Sequence, residues 1–546
     1  MKNQLRTKTS KFKVRTVALL LTASLVIPSA VIIADQQATK YPDAQIHQPT
    51  PVPDRVFLGW EGDTATTQSV SWRTDDSVTS PVAQIALAES GPDFKSKART
   101  VEADVSEDVE VNHDYTNKIH SVTFDNLEPN TKYLYRVGDG ANWSEWFEFT
   151  TASDKDEPFS FIYVGDAQNN IHEHWSRVMR TAYSELSDAS FILHAGDMID
   201  QGDADEQWGG WFDGAGWIFG MVPSIATIGN HEYSRITQTP SQLAENWETQ
   251  FHYPDNGPEG LEGQVGYWDY QGLRIISLNS NTRYADVNVQ AEWLDSVLTD
   301  NPNRWTVVTF HHPIFSSGSG RNNGTLRDAI LPVVEKHNVD LVLQGHDHTY
   351  ARGHLSNEHD GESEYTTGTM FVNSVSGPKM YNWSDTNWIE NGAYVRSGAE
   401  RTQMYQHIHV DGDTLKYESY DALGELYDGF TMTKLSDNQK LVTETFGSGE
   451  PSEPEDPIES SIEQLKAQVE QLLAEEGIKN EETARQLQTH LTSVEHYEKA
   501  ESMDKAINHL NQFKELLGAM KANELITESA YEELHTSAEK ILEQWL

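Results

Sequence analysis

Between Arg55 and Ser153, apolar and polar residues alternate in short runs broken by glycine and proline. The runs include Ser69-Val70-Ser71-Trp72-Arg73-Thr74, Gln84-Ile85-Ala86-Leu87, Ser121-Val122-Thr123-Phe124 and Lys132-Tyr133-Leu134-Tyr135-Arg136-Val137. Alternation at this spacing predicts a β-sandwich over 54–153. Over 158–435 the rhythm changes. Continuous apolar runs at 159–164, 191–195, 224–228, 273–278, 305–310 and 340–343 are separated by amphipathic segments such as 175–186, 289–298 and 326–337. Strands apolar on both faces, with helices between them, predict a layered α/β domain. Its tail, at 404–410, 414–420 and 427–434, reads as an antiparallel set with a hairpin turn at Asp411-Gly412. A Pro/Ser/Glu linker occupies 447–460. Beyond it Ile462, Leu465, Val469 and Leu472, then Leu510, Phe513 and Leu517, then Leu534, Ala538 and Ile541 recur at helical spacing. This predicts a small all-α bundle over 461–546, with no catalytic constellation in it.

The start of the chain reads differently. Lys2, Arg6, Lys8, Lys11, Lys13 and Arg15 precede an apolar stretch at 17–27, and Pro28, Ser29 and Ala30 follow it. That is the layout of a signal peptide, assigned to 1–34, with a polar spacer at 35–53. An uncleaved anchor is the rival, because apolar character continues to Ala34. No other stretch is apolar enough to cross a bilayer, so stable membrane insertion is not expected after signal removal. The formal charge is −45, falling to about −51 without the six basic residues of the leader. Such an excess argues against a nucleic-acid-binding module, and any phosphate site needs local positive charge. There are no cysteines, so an exported chain relies on core size and bound metal rather than disulfides. Export from a Gram-positive bacterium fits this best.

Five strand ends of the α/β domain carry ligand-capable residues. They are Gly165-Asp166-Ala167-Gln168, Gly196-Asp197-Met198-Ile199-Asp200, Gly229-Asn230-His231-Glu232, His311-His312-Pro313 and Gly345-His346-Asp347-His348. Side chains just past the carboxyl ends of strands face the crevice where open α/β sheets bind ligands. A glycine before the first polar residue suits a tight turn out of the strand. Carboxylate, amide and imidazole without thiolate suit iron, zinc or manganese.

This ordered set resembles the calcineurin-like metallophosphoesterases, and with the preceding sandwich it is most similar to the purple acid phosphatase branch. Trp72 and the stretch Leu127-Glu128-Pro129-Asn130-Thr131-Lys132-Tyr133 similarly resemble a fibronectin type III domain, for which no chemistry is expected. The bundle resembles the helical appendage of many secreted Bacillus-type enzymes. The resemblance implies two metal ions bridged by Asp197. One takes Asp166 and His348; the other takes Asn230, His311 and His346. Two departures stand out. Ordinary members have histidine where Gln168 stands, and purple members have a tyrosine ligand where Asp200 stands. The carbonyl oxygen of Gln168, or water, then completes the first site, and a purple charge-transfer colour is not expected.

The implied reaction is phosphate-ester hydrolysis, with hydroxide generated at the cations attacking phosphorus in line. His231, oriented by Asp200, protonates the leaving group. Arg321 and Asn169 are candidate phosphate contacts, and His312 either touches the phosphate or packs beside Pro313. The expected activity is that of a secreted phosphomonoesterase. A phosphodiesterase or nucleotidase on the same core is the alternative. A non-catalytic extracellular binding protein with a degenerate metal site is the reading from another class. The helical domain leaves an extracellular partner as a further expectation.

Overall fold

The computed structural model describes residues 46–111, 115–234, 242–355, 363–435, 439–445, 461–474, 477–499, 502–523 and 525–545. The expected leader (1–34), the spacer up to residue 45 and the linker (447–460) lie outside the described residues. The chain divides into two compact units, Met1–Glu450 and Pro451–Leu546.

The first unit begins with eight strands: β1 (Asp54–Gly59), β2 (Gln68–Thr74), β3 (Val82–Leu87), β4 (Arg99–Glu102), β5 (Val105–Glu110), β6 (Thr116–Phe124), β7 (Lys132–Gly138) and β8 (Phe147–Thr150). They form two four-stranded sheets, ordered β1-β2-β6-β5 and β4-β3-β7-β8. Val70, Trp72, Ile85, Val122, Tyr135, Val137 and Phe149 fill the space between them. In an ordinary sandwich strand the alternate polar residues face water. Here β2 is buried along its whole length, polar residues included. The reason is that its outer face is covered by the following α/β domain.

That cover is built around one carboxylate. Asp205 opens the helix α1 (Asp205–Ala215) of the α/β domain and is fully buried. It accepts from Arg55 Nη1 and Nη2 (2.7 and 2.9 Å), Arg73 Nη1 (3.1 Å), Asn117 Nδ2 (2.6 Å) and the Tyr115 hydroxyl (3.0 Å), all from the sandwich. Burial raises its pKa, but the two guanidinium groups more than reverse this and hold it at about 2. Around this cage, Phe57 of β1 packs against Trp211, Phe212 and Phe219. The tryptophan-rich segment at 207–217 is therefore interdomain core. The sandwich is thereby packed tightly against the α/β domain.

Among its described residues the α/β domain holds fifteen strands, β9 (Phe159–Val164), β10 (Ile192–His194), β11 (Ser224–Ala226), β12 (Gly266–Tyr270), β13 (Leu273–Ser277), β14 (Trp305–Thr309), β15 (Leu341–Gln344), β16 (Tyr350–His354), β17 (Glu364–Thr367), β18 (Met370–Asn373), β19 (Tyr394–Ala399), β20 (Met404–Asp411), β21 (Thr414–Asp421), β22 (Leu426–Lys434) and β23 (Lys440–Glu444). They make an eight-stranded sheet, β11-β10-β9-β20-β21-β22-β23-β17, and a seven-stranded sheet, β12-β13-β14-β15-β18-β16-β19. In β9, Phe161 and Tyr163 point into the core shared by both sheets, while Ile162 and Val164 pack under the helices outside. The second sheet does the same with Val307 inward and Val308 outward. Apolar residues on both faces explain the unbroken runs read from the sequence. The tail set is more than a cap. It pairs through the register Asp411↔Thr414 at its first turn, and β20 then joins β9 antiparallel to extend the first sheet.

The second unit is four helices, α2 (Ser461–Ala474), α3 (Glu481–Lys499), α4 (Met503–Ala522) and α5 (Glu528–Trp545). Ile462, Leu465, Val469, Leu487, Leu491, Leu510, Phe513, Leu517, Leu534 and Ala538 form its own core. Among the described residues no helix is long and apolar enough to cross a membrane.

Replacing Asp205 by alanine leaves the buried Arg55 without its counter-charge and Arg73 with Asp54 alone, at 2.7 Å. The expected cost is about 3–5 kcal/mol of stability in the first unit, read from urea unfolding followed by tryptophan fluorescence. A loss of less than about 1 kcal/mol, the size expected of an exposed ion pair, would show that the cage does not hold the interface.

Candidate metal centre

Three parallel strands of each sheet end at the same edge. From the first sheet, the chain leaves β9 at Asp166, β10 at Asp197 and β11 just before Asn230. From the second, it leaves β14 at His311 and β15 at His346 and His348, while β13 leads to Ser280. The side chains meet in two groups that share one residue. Ligand atoms of Asp197, His311 and His346 lie within 4.8 Å of one another, as do those of Asp166, Asp197 and His348. Asp197 Oδ2 is 3.1 Å from His311 Nε2, and Asp166 Oδ1 is 3.5 Å from His348 Nε2.

The imidazoles are turned by their far nitrogens. His311 Nδ1 donates to the Ala195 carbonyl at 2.9 Å, and His348 Nδ1 donates to the Lys379 carbonyl at 2.9 Å. Each bond leaves Nε2 facing the centre, as metal ligation requires. Asp166 Oδ1 and Asn230 Oδ1 are buried without any protein hydrogen-bond partner. Orphaned acceptors of this kind cost free energy unless a cation or donor occupies the space beside them. Electrostatics says the same. Burial first, then Asp197, pushes the Asp166 carboxyl well above its ordinary range, although His311 opposes this. Burial alone would lower His311, but Asp197 and Asp166 raise it to about 9. Burial drives His348 down to about 3. A closely packed carboxylate pair among imidazoles, one of which holds a proton that a cation would displace, is a fitting donor set for two cations.

The loops carrying these groups are strained and braced. Asp166, Asp197, His346 and His348 have left-handed φ values of 47°, 50°, 76° and 49°. For such residues this conformation costs about 1–3 kcal/mol each. The preceding glycines do not supply the turn in every case. Gly345 instead lets the loop after β9 approach: a Cβ there would sit 2.2 Å from Asp166 Oδ2. The bracing comes from Glu232, a residue given no role by the sequence reading. Its fully buried carboxylate accepts from the N–H groups of Asp197 (3.0 Å), Met198 (2.8 Å) and Gly229 (2.7 Å). It thus ties the second and third loops together. Burial and the neighbouring Asp197 raise its pKa to about 8. Asp347 plays the matching part on the other side, accepting from the N–H groups of Ser317 (2.7 Å) and Gly318 (3.1 Å).

The remaining expected residues surround the pair. Gln168 directs Nε2 to Asp197 Oδ2 (3.1 Å) and to His348 Nε2 (2.8 Å), while its Oε1 is buried and unpartnered. A half-turn of the amide exchanges the two atoms and puts oxygen in the ligand corner. His231 Nε2 is 3.7 Å from Asp197 Oδ2. Its Nδ1 meets the main-chain carbonyl of Asp200 at 2.5 Å, and the Asp200 carboxylate only at 3.5 Å. Asp200 therefore orients the ring chiefly through its backbone, where the sequence reading used its side chain. Ser280, at a sixth strand end that the sequence reading passed over, bonds both the N–H and Nδ1 of His312 at 2.9 Å. Burial, then His311, lowers His312 to about 3. Arg321 donates to the His346 carbonyl (3.2 Å) and lies over the Tyr381 ring at 4.6 Å. Asn169, with φ 68°, turns the chain toward the helical turn at Ile171–Trp175. A cavity of about 450 Å³ opens beside Asn230 and His312, with Ser280, Arg283, Tyr284 and Asn322 in its wall.

Three family models match the chain. They are the purple acid phosphatase N-terminal domain over 53–151, the calcineurin-like phosphoesterase over 159–350 and the FIMAH domain over 462–543. An uncharacterized protein of Mycobacterium tuberculosis is 26% identical over 337 residues, covering 55% of this chain and 62% of that protein. An Arabidopsis thaliana protein named Fe(3+)-Zn(2+) purple acid phosphatase 12 is 26% identical over 250 residues, covering 43% and 52%. The chain thus spans between half and two-thirds of the length of these relatives. The purple acid phosphatase PPD1 from yellow lupin seeds superposes with a TM-score of 0.58 at 18% identity, covering 71% of this chain and 75% of that one. That likeness is one of fold.

Gly345→Ala is expected to push the Asp166 carboxylate out of place. Metal content after dialysis against a weak chelator should fall from about two ions per chain to about one or fewer. Retention of both ions would mean that the close approach at Gly345 does not govern the first site.

Proposed function

From a chain whose residues 159–350 are a calcineurin-like phosphoesterase domain, we propose a secreted phosphomonoesterase that works with two metal ions of the iron, zinc or manganese type. The observation that carries this reading is the pair of ligand groups joined through Asp197. When bound, two cations at this spacing supply Lewis-acid charge to phosphate oxygens and lower the pKa of an attacking water. The likeness to an iron–zinc relative supports that metal choice, and Asp200 in place of a tyrosine ligand argues against a purple colour.

The chain's own groups divide the remaining work. Asp197, Asp166, His311, His346, His348 and Asn230 hold the cations, with Gln168 at the first site. The Asp200 carbonyl keeps the His231 proton on Nδ1 in the neutral ring, so Nε2 faces the centre. On protonation Nε2 carries the proton that the departing oxygen needs. Arg321, anchored on the His346 carbonyl, brings the positive charge that a chain of net charge −45 must provide locally. His312, held by Ser280, and Asn169 complete the phosphate surroundings. The leaving group lies in the cavity beside His312. Because that cavity measures about 450 Å³, a diester or nucleotide is the second reading.

Export rests on the basic-apolar leader at 1–34. The sandwich, similar to fibronectin type III domains, acts with the catalytic domain. The helical bundle, matched by the FIMAH domain, takes an extracellular partner.

The test compares wild type with His231→Ala and Asn230→Ala on an aryl phosphate, an alkyl phosphate and the matching diesters. His231→Ala should keep its metals and lose about a hundredfold or more on the alkyl ester, with a much smaller loss on the aryl ester. Asn230→Ala should lose the second metal. Equal loss on both esters would remove His231 from the acid role, and faster diester than monoester turnover would select the second reading.

A further inference from the structure

We propose that the N-terminal sandwich positions the His231 ring through the Asp205 cage, the first turn of α1 and the hydrogen bonds from Gln207 to the main chain of Asp200 and Gln201. This rests on the phosphoesterase reading above. The path starts at the cage in which Arg55, Arg73, Asn117 and Tyr115 grip the Asp205 carboxylate. Asp205 is the first residue of α1, so the cage fixes where that helix begins.

In the first turn of α1, Gln207 turns back toward the centre. Its Oε1 accepts from the N–H groups of Asp200 (2.8 Å) and Gln201 (3.0 Å). The next residue, Trp208, donates Nε1 to the Gly202 carbonyl at 2.7 Å, and its ring is buried in the interdomain core. These bonds seize a loop that has no regular structure of its own between β10 and α1.

The Gln201 N–H and the Asp200 carbonyl belong to one peptide group, which is planar. Fixing the N–H on Gln207 therefore fixes the direction of the carbonyl on the opposite side of the same plane. That carbonyl is the one that accepts His231 Nδ1 at 2.5 Å. The imidazole also receives a constraint from its own backbone, whose N–H donates to Asp197 Oδ1 at 3.0 Å. The Asp200 carbonyl constrains the ring torsion, and proton delivery tolerates only about 10–20° of misdirection. Gln207 and Asp205 are positioning residues: neither reaches the ligand groups, and both act through the ring of His231.

The experiment uses the full chain with its metals bound and compares wild type with Gln207→Ala, Asn117→Ala, His231→Ala and the Gln207→Ala/His231→Ala double variant. Turnover is measured on 4-nitrophenyl phosphate, whose leaving group needs little protonation, and on glycerol 2-phosphate, whose leaving group needs it. Gln207→Ala should lower kcat on glycerol 2-phosphate about tenfold or more and on the aryl ester less than about threefold, with metal content unchanged. In the His231→Ala background the same change should add less than about twofold. Asn117→Ala should shift the ratio of the two rates in the same direction, about two- to threefold, by loosening the cage. Equal loss on both esters, or full additivity with His231→Ala, would overturn the proposal, and an unaltered ratio in Asn117→Ala would remove the sandwich from it. Independently of turnover, the His231 Nδ1 proton, identified by its loss in His231→Ala, is followed by NMR. Its exchange should quicken about tenfold in Gln207→Ala; unchanged exchange would sink the positioning role. Wild type that hydrolyses neither ester would refute the phosphoesterase reading, and the proton measurement then decides the positioning alone.

Discussion

A carboxylate held deep in protein without water must find its stabilisation in the groups around it, and Asp197 finds it from all sides. It is about 1% exposed, and it meets an imidazole from the second sheet, an amide from the first loop and a backbone N–H from the third. Removing two sheets' worth of side chains from water supplies the general driving force for folding. It does not by itself decide that six strand ends converge. Convergence depends on charges and dipoles that are satisfied only when the loops meet around this one residue. Glu232 makes the dependence explicit, since its three N–H partners lie in two different loops.

Such a centre is costly to assemble. Four of its candidate ligand residues sit at left-handed φ, and the Asp166 and Asp197 carboxylates lie close together. The surrounding structure over-determines this geometry. The loop after β18 adds Ser376, whose N–H and hydroxyl both reach the Gly165 carbonyl, and Gly377, whose N–H reaches the carbonyl of Asp166. Strained ligands persist when neighbouring contacts leave no easier conformation. Bound cations relieve the remaining electrostatic cost, and for a chain without cysteines they are the available cross-links.

Much of this was legible in the sequence because it obeys short-range rules. Unbroken apolar runs marked strands covered on both sides, and the polar residue after each run marked the edge at which they meet. What escaped notice depends on distant partners. The cage of Asp205 draws on Arg55, Arg73 and Asn117, residues far away in the chain and unremarkable within an alternating strand pattern. Ser280 follows an ordinary apolar run, and only the packing of β13 against β14 brings it to His312. Glu232 stood inside a recognised motif, yet its direction, into the backbone N–H groups of two loops, is a three-dimensional fact. The cover over the polar face of the fibronectin-like module was hidden because periodicity reports which residues alternate, not what lies against them.

The bond from His231 to a main-chain oxygen, with the Asp200 carboxylate standing off, has a bearing on how such a chain can change over evolutionary time. A carbonyl is present whatever amino acid occupies the position. Residue 200 is thereby released from guarding the imidazole and is open to selection for another task, such as choosing which metal the pocket keeps. One site in the polypeptide can then drift between aspartate and tyrosine while the neighbouring ring keeps its tautomer. Metal preference and proton donation become separately heritable traits.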